Sequence, residues 1–318
     1  MYTELGVARL KTGEPIRLGA VVAPDAEWAP RLRALLGHKP PVYLYHIERS
    51  LLEPLDDLET LYYVGDVDGV PVTVAMVAGG HGAGIFGHVY TVPAWRQRGA
   101  SGLLHETLAA DVRSRGYRAL SLGTNPDGHA RRIYEAIGFH QVVPGSGDMI
   151  WRADGQAGPG PGVITVGPAR WGDWGWVSEA CCEPVEAGEE LPRSTLLRVR
   201  AAGHVESAYV DAMRGGADLH VLRVGAAAVG WAALLRGPAA AVGAAALEWY
   251  ARPGYRAEAA RLLSGLEWPD QPVVCALAGG PGYRAEGLAA HGFREVGRWP
   301  RWWDVGRGRE DAVVWARA

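Results

Sequence analysis

The chain has 318 residues, a hydrophobic content of 48% and a formal net charge of -3. This charge argues against a nucleic-acid-binding protein, because such proteins carry a basic excess, and no apolar run reaches the roughly 20 residues that span a bilayer. Residues 1–15 lack the apolar core of a signal peptide, and the three cysteines have no zinc-site spacing. We therefore expect a cytoplasmic protein with no metal, no nucleic acid partner and no membrane partner.

One stretch near the middle of the chain divides it into two halves. Residues 153–162, ADGQAGPGPG, contain many helix and strand breakers and show no periodicity, which is typical of a linker. The halves 1–152 and 163–318 both have the usual length of a domain. The sequence therefore predicts two domains joined by this linker.

The first half alternates strand and helix patterns. A tight turn at Asp68-Gly69 joins two apolar-rich runs and predicts a β-hairpin. The predicted elements are, in chain order, a strand at 15–22, helices near 25–36 and 45–55, the hairpin at 61–77, a strand at 85–92, a helix at 100–115, a strand at 118–124, a helix at 127–137, and closing strands through Trp151.

The second half repeats this order. Residues 246–263, ALEWYARPGYRAEAARLL, share with residues 88–104 a strand, a proline, an aromatic residue, an arginine and an apolar helix. The ending AAHGF similarly mirrors EAIGF. Two copies of one α+β unit are the simplest explanation; one such unit followed by an unrelated domain is the alternative.

A loop of small and basic residues lies where a strand of the first half gives way to a helix. Residues 91–104 read TVPAWRQRGASGLL, with Arg96, Gly99 and Ser101 in the spacing Arg-x-x-Gly-x-Ser. A helix start exposes unpaired N–H groups and the positive end of the helix dipole, and small residues allow close approach of a ligand. The loop therefore favours phosphate binding, although an ordinary turn with arginines has the same composition.

This loop and a second motif together resemble the GCN5-related N-acetyltransferase (GNAT) superfamily. The second motif is NPDGHARRIYEAIGF, in which Ala130, Tyr134, Gly138 and Phe139 match the family pattern Ala-x-x-x-Tyr-x-x-x-Gly-Phe. The resemblance covers roughly residues 15–152, with Ser101 departing from the Gly or Ala that the family prefers. It implies a mixed, mostly antiparallel twisted sheet flanked by helices, here in two tandem copies, with acetyl-CoA or another acyl-CoA as co-substrate.

The resemblance also implies which residues hold the cofactor. The loop N–H groups of residues 98–102 would bind the pyrophosphate, and the strand before the loop would splay from the next strand to admit the pantetheine arm. Asn125 occupies a position that often contacts the cofactor, although Asn before Pro also suits a plain turn. The full expected set is Thr91, Val92, Arg96, Arg98, Gly99, Ala100, Ser101, Gly102, Asn125 and Arg131.

Acyl transfer to an amine needs a proton acid for the departing thiolate, a base for the amine and a donor for the oxyanion. Tyr134 matches the family tyrosine that commonly supplies the proton, with packing on an amphipathic helix as the alternative. His88 on the strand before the loop is one candidate base, His129 at the start of the Tyr134 helix is another, and water is a third. A strand N–H would serve the oxyanion.

The second copy lacks these features. Glu258 falls near the position of Arg98, an alanine replaces Gly99, and Leu288 takes the position of Tyr134. Its many tryptophans could line an acceptor pocket or pack in the core.

We expect a cytoplasmic N-acetyltransferase of small-molecule or peptide amines, with a degenerate second domain and a possible homodimer. The alternatives are a non-catalytic acyl-CoA sensor and an acyltransferase that uses a longer acyl group or a carrier-protein thioester.

Overall fold

The computed structural model describes residues 1–153, 158–183, 192–199, 204–236, 243–278, 282–304 and 309–318. The chain forms two compact units, Met1–Ala157 and Gly158–Ala318. Four residues of the expected linker, 154–157, lie outside the described residues. Within the described ranges, no helix is both long and apolar enough to cross a membrane.

The first unit contains a mixed, mostly antiparallel sheet of eight strands in the order β1-β2-β3-β4-β5-β6-β8-β7. The pairing of β5 with β6 is parallel and the other pairings are antiparallel. The strands are β1 Tyr2–Arg9, β2 Pro15–Ala23, β3 Glu59–Val67, β4 Val70–Gly80, β5 Ala83–Thr91, β6 Ala119–Gly123, β7 His140–Gln141 and β8 Asp148–Arg152.

Helices flank this sheet, and their spans are α1 Ala29–Leu36, α2 Pro41–Leu52, α3 Ala100–Ser114 and α4 His129–Ala136. The apolar face of α3, with Leu104, Leu108 and Val112, is buried in the core. Helix α1 begins four residues later than the sequence pattern indicates, because the Asp25 carboxylate accepts the N–H groups of Glu27 and Trp28 in a turn that precedes the helix.

The hairpin predicted at Asp68-Gly69 is present between β3 and β4. Both turn residues have positive φ, 52° and 81°, as a type I′ turn requires. Strand β1 was not predicted. It pairs with β2 across a short turn that includes Lys11 and Gly13, so the sheet begins one strand earlier than the sequence pattern indicates.

Strand β5 is irregular near its end. His88 has a φ of 51°, and the register with β4 shifts between the pairs Gly87↔Met76 and Tyr90↔Val74, so that two residues of β5 face one of β4. This is a β-bulge, which bends a strand and leaves part of its backbone outside the ladder. Strand β5 also pairs with β6 only over 83–85, so the two strands diverge beyond that point, as the sequence resemblance predicts.

The described residues of the second unit form a seven-stranded mixed sheet in the order β14-β15-β13-β12-β11-β10-β9, in which β12 and β13 pair in parallel. The predicted α+β class, with two mixed sheets flanked by helices, is confirmed. The strands are β9 Ile164–Pro168, β10 Asp218–Val224, β11 Ala227–Leu235, β12 Ala245–Ala251, β13 Val273–Ala278, β14 Arg294–Asp304 and β15 Arg309–Arg317. The helices are α5 Trp174–Ala180, α6 Pro192–Val199, α7 Val205–Asp211, α8 Ala260–Ser264 and α9 Tyr283–Ala290.

Candidate functional site

A cleft of about 740 Å³ lies in the first unit at the divergent end of β5. The loop between β5 and α3 forms one wall, and the first turns of α4 contribute His129 and Ile133. Its lining residues are Arg9, Lys11, Val89, Tyr90, Thr91, Trp95, Arg96, Gln97, Arg98, Gly99, Ala100, Ser101, Gly102, Leu103, Glu106, His129 and Ile133.

The backbone of the loop is arranged as an anion-binding turn. Gln97 and Gly99 both have left-handed φ values, 65° and 89°, and Gly99 is the residue before the first turn of α3. Left-handed residues in a turn make successive N–H groups converge, and the first N–H groups of a helix lack acceptors within the helix. The cleft therefore faces N–H donors at the positive end of the α3 dipole.

The arginines of the loop are held by aromatic and acidic neighbours. The Arg96 Nε donates to the Thr91 carbonyl at 3.1 Å, and its guanidinium lies 5.9 Å from the Tyr90 ring centroid. The Arg98 guanidinium lies 4.6 Å from the Trp95 ring centroid and pairs with Glu14 at 2.9 Å. Both cations are thus fixed at the rim of the cleft.

The structure brings together most but not all of the residues expected from the sequence. Thr91, Arg96, Arg98, Gly99, Ala100, Ser101 and Gly102 line the cleft, together with His129. The lining residues do not include Val92, whose N–H donates to the Val72 carbonyl at 2.9 Å, nor His88, Asn125, Arg131 and Tyr134.

Tyr134 lies in the core beside the cleft. Its side chain is 8% exposed, and its ring packs against Phe86, His105 and Phe139, with centroid distances of 5.3, 5.8 and 6.4 Å. The preceding residue, Ile133, lines the cleft. The tyrosine is therefore packed in an aromatic cluster, one residue along α4 from a residue that lines the cleft.

His88 occupies the bulge of β5 and faces α2. Its ring centroid lies 5.3 Å from that of Tyr43 and 6.4 Å from that of His46. Burial, followed by the nearby His46 and the positive charge of Lys39, lowers the pKa of His88 well below its usual 6.5. The imidazole is therefore neutral at pH 7, which is the state a proton acceptor needs, but its low pKa makes it a weak base.

The other two polar candidates on α4 and its preceding turn have local partners. The Asn125 Oδ1 accepts the N–H of Asp127 at 3.0 Å, which is the geometry of an Asx turn. Arg131 lies 3.5 Å from Glu135 in an i,i+4 ion pair. The Asn125 contact fits the plain turn given as the alternative for that residue. Of Asn125, His129 and Arg131, only His129 is among the described residues that line the cleft.

The sequence patterns did not predict two cations of this cleft. Arg9, at the end of β1, and Lys11, in the turn that follows, both line it. The Lys11 N–H donates to the Arg98 carbonyl at 2.9 Å, and the pairing of Arg98 with Glu14 holds the same turn. The stretch KTGE places a lysine and a glutamate in a short turn, which is the only signal in the sequence. This signal does not indicate that the turn contacts a loop more than 80 residues away.

The corresponding gap in the second unit is filled by its own side chains. Strands β12 and β13 pair only over 245–246 and then diverge, but the Tyr283 hydroxyl lies 3.0 Å from the Ala251 nitrogen and 3.3 Å from the Ala251 oxygen. The Tyr283 ring packs against Trp249 at 5.6 Å and under the Arg256 guanidinium at 5.0 Å. By sequence position, Ala251 and Tyr283 correspond to Thr91 and His129, which line an open cleft in the first unit.

The helix start of the second unit also differs from the loop of the first. Ala259 has a φ of -60° where Gly99 has 89°, and Glu258 pairs with Arg261 at 3.1 Å. Leu288, at the position of Tyr134, is fully buried. Among the tryptophans of this unit, Trp174, Trp176, Trp231 and Trp249 are core residues, while Trp299 and Trp302 are exposed.

Hydrogen exchange tests the contact between Tyr283 and Ala251 in the second unit. We expect Tyr283→Phe to speed hydrogen exchange of the Ala251 amide by at least about tenfold, because the variant removes the acceptor of this N–H and an unpaired buried amide costs roughly 1–3 kcal/mol. Tyr255→Phe, a hydroxyl deletion in the turn before α8, serves as the control. Unchanged exchange at Ala251 in Tyr283→Phe would contradict the contact.

The family comparison supports the resemblance seen in the sequence. Residues 64–144 match the model of the family described as FR47-like protein, which is GNAT-related. The matched segment contains β5, the loop, α3 and Tyr134. The resemblance to the GNAT superfamily is thereby confirmed over residues 64–144 of the first half. A search of curated proteins found no match.

Several solved structures are similar at low identity. A tandem GNAT protein from the clavulanic acid biosynthesis pathway is 18% identical, covers 95% of this chain and 98% of its own, and has a TM-score of 0.34. The GNAT domain of S. lividans PAT is 16% identical over 47% of this chain and 97% of its own, with a TM-score of 0.36. PaiA N-acetyltransferase from Thermoplasma acidophilum, in complex with coenzyme A, is 13% identical over 42% and 99%, with a TM-score of 0.32.

Among the described residues, no group of three or more His, Cys, Asp or Glu side chains is placed to hold a metal ion. The three cysteines, Cys181, Cys182 and Cys275, are buried.

Proposed function

We propose that the first unit is an acetyl-CoA-dependent N-acetyltransferase that transfers its acyl group to a primary amine of a small molecule or peptide. The observation that carries this proposal is the loop before α3, where left-handed Gly99 and the first N–H groups of the helix face a cleft lined by Arg96 and Arg98. A diphosphate fits such donors because they are both converging and positively charged. The family match over 64–144 supports an acyltransferase in general terms.

The chemistry follows from the residues around the divergent end of β5. The pantetheine arm of the bound co-substrate would lie along β5 between the bulge and Thr91, where the backbone leaves the ladder. A β5 N–H would stabilise the oxyanion, and Tyr134 would protonate the departing thiolate after a side-chain shift from its packed position. The amine would lose its proton to neutral His88, to His129 or through water.

The domain arrangement belongs to the same proposal. We assign catalysis to residues 1–152 and a non-catalytic, degenerate role to residues 163–318, joined by 153–162. The support for this assignment is the Tyr283 contact with Ala251 and the loss of the left-handed residue at Ala259. The cofactor set Thr91, Arg96 and residues 98–102 is retained; Val92, Asn125 and Arg131 remain weaker candidates because their local contacts account for them.

Release of free coenzyme A thiol from acetyl-CoA with a broad panel of amines tests the proposal. We expect the purified full chain to release thiol with at least one amine class well above the rate without an amine. Binding of acetyl-CoA with no transfer to any amine would instead support the acyl-CoA sensor. Mass spectrometry of copurified ligand identifies a longer acyl group, if that is the donor.

Gly99→Val tests the loop directly. We expect the Kd of coenzyme A to rise at least about tenfold, because a β-branched residue at this left-handed φ costs roughly 1–2 kcal/mol and the loop relaxes away from its binding geometry. Isothermal titration calorimetry measures the effect. Gly116→Val is the matched control: Gly116 has a φ of 79° at the opposite end of α3, so the strain is equal but the cleft is untouched. Equal affinity of the Gly99 and Gly116 variants would contradict the site.

A further inference from the structure

The turn between β1 and β2 adds two cations to the cleft that the loop itself does not supply. Arg9 and Lys11 both line the cleft, and both are exposed on its outer rim. In the described part of the chain, neither side chain forms an ion pair with a carboxylate, whereas Arg98 is paired with Glu14. The two outer cations are therefore available for a ligand anion.

Short contacts fix the β1–β2 turn against the loop, so the positions of Arg9 and Lys11 relative to the loop are defined by the fold. The Lys11 N–H donates to the Arg98 carbonyl at 2.9 Å, and the Leu10 N–H closes the turn on the Glu14 carbonyl at 2.9 Å. The Lys11 aliphatic chain passes within 3.4 Å of the position a Cβ would take on Gly99. The Arg9 Nη1 donates to the Gly13 carbonyl at 3.0 Å, which orders the other side of the turn.

The peptide unit between Arg98 and Gly99 separates these cations from the N–H groups that would bind the diphosphate. Because a trans peptide directs its C=O and its N–H to opposite sides, the Gly99 N–H points away from the Lys11 backbone that binds the Arg98 carbonyl. An anion held by the loop N–H groups thus lies on the far side of this peptide. The Lys11 side chain, which passes alongside Gly99, also lines the cleft, so a second anionic group of the same ligand would be needed to meet its ammonium.

We propose that Lys11, assisted by Arg9, binds the 3′-phosphate on the adenosine end of coenzyme A, so that this turn makes the cleft selective for the 3′-phosphorylated cofactor. The inference rests on the proposed function, since it assigns a residue to the same cofactor. Coenzyme A has two anionic centres, the diphosphate and the 3′-phosphate, and the loop N–H groups with Arg96 satisfy the first. The second unit has no counterpart of this turn in its described sheet, whose edge strand β9 corresponds to β2.

Calorimetric titration with coenzyme A and with dephospho-coenzyme A tests this assignment. We expect Lys11→Ala to raise the Kd of coenzyme A about tenfold and to leave the Kd of dephospho-coenzyme A within about twofold, since a charge-assisted contact is worth roughly 1.5 kcal/mol. Lys11→Arg should retain most of the affinity. Equal losses for both ligands would overturn the 3′-phosphate assignment, and unchanged affinity for both would overturn any role of Lys11.

A second measurement does not depend on a variant. Lys11 and Lys39 are the only lysines in the sequence, so acetylation by an amine-reactive reagent can be followed at each by mass spectrometry. We expect coenzyme A to protect Lys11 more strongly than saturating dephospho-coenzyme A does, while Lys39 responds equally to the two. Equal protection of Lys11 by both ligands would contradict the inference. Failure of both ligands to bind the wild-type chain would instead refute the proposed function, so the two failures are distinguishable.

Discussion

Replacing Tyr134 by phenylalanine should lower kcat for thiol release by about 10²-fold or more, because a positioned general acid typically contributes 10²–10⁴-fold. The variant removes only the hydroxyl, so the packing of the ring against Phe86 and His105 is retained. We therefore expect the Kd of acetyl-CoA to stay within about twofold of the wild-type value. Steady-state kinetics together with calorimetry separate the two effects.

A matched tyrosine in the same core controls for loss of a buried hydroxyl. Tyr117 is 6% exposed, and its hydroxyl donates to Glu59 at 3.4 Å. This contact places the Tyr117 hydroxyl at the start of β3, whereas Tyr134 lies on α4 next to the lining residue Ile133, so Tyr117→Phe should keep kcat near the wild-type value. If Tyr134→Phe retains more than about half of the wild-type kcat, Tyr134 is a packing residue and the thiolate takes its proton from another group or from water.

Acidification should destabilise the first unit strongly, because it buries three histidines in their neutral form. Burial lowers the pKa of His46 to about 3 and that of His105 to about 4, and His88 also titrates below its usual 6.5. Below about pH 6.5 the unfolded chain binds protons that the folded chain does not, so stability falls as the pH falls. Integration of this linkage gives a loss of up to about 2 kcal/mol per histidine at pH 5.

Urea unfolding at pH 7.5, 6 and 5 measures this loss, and single variants assign it. His105 packs among apolar residues, and neither of its ring nitrogens has a hydrogen-bond partner among the described residues. His105→Phe should therefore reduce the loss between pH 7.5 and pH 5 by about 2 kcal/mol. His140→Gln, a change at an exposed position, should leave it unchanged. A wild-type unfolding free energy that is flat from pH 7.5 to pH 5 would contradict neutral burial of these side chains.

Locally encoded features were predictable from the sequence, and features set by distant contacts were not. The β3–β4 hairpin follows from Asp68-Gly69, because that dipeptide adopts the positive φ angles of the turn regardless of the rest of the chain. The start of α3 likewise follows from Gly99 and the apolar spacing after it. Strand β1 was not predicted, because buried and exposed residues hardly alternate along it and its position depends on pairing with β2.

The same distinction applies to the candidate site. The loop residues Arg96 and Gly99 were identified because they belong to one short motif within a continuous stretch of the sequence. Lys11 and Arg9 were not, since they reach the cleft only through the backbone bond of the β1–β2 turn to the Arg98 carbonyl. The filling of the second gap by Tyr283 likewise depends on a contact between residues 32 positions apart in the sequence.

A crystal structure of the full chain grown with coenzyme A tests the central claim most directly. We expect one coenzyme A per chain, with diphosphate oxygens within hydrogen-bonding distance of the backbone N–H groups of residues 98–102 and the thiol end in the gap between β5 and β6. The second unit should hold none, with Tyr283 still bonded to Ala251. A cofactor bound at any other position, or crystals that stay free of ligand at saturating concentration, would contradict it.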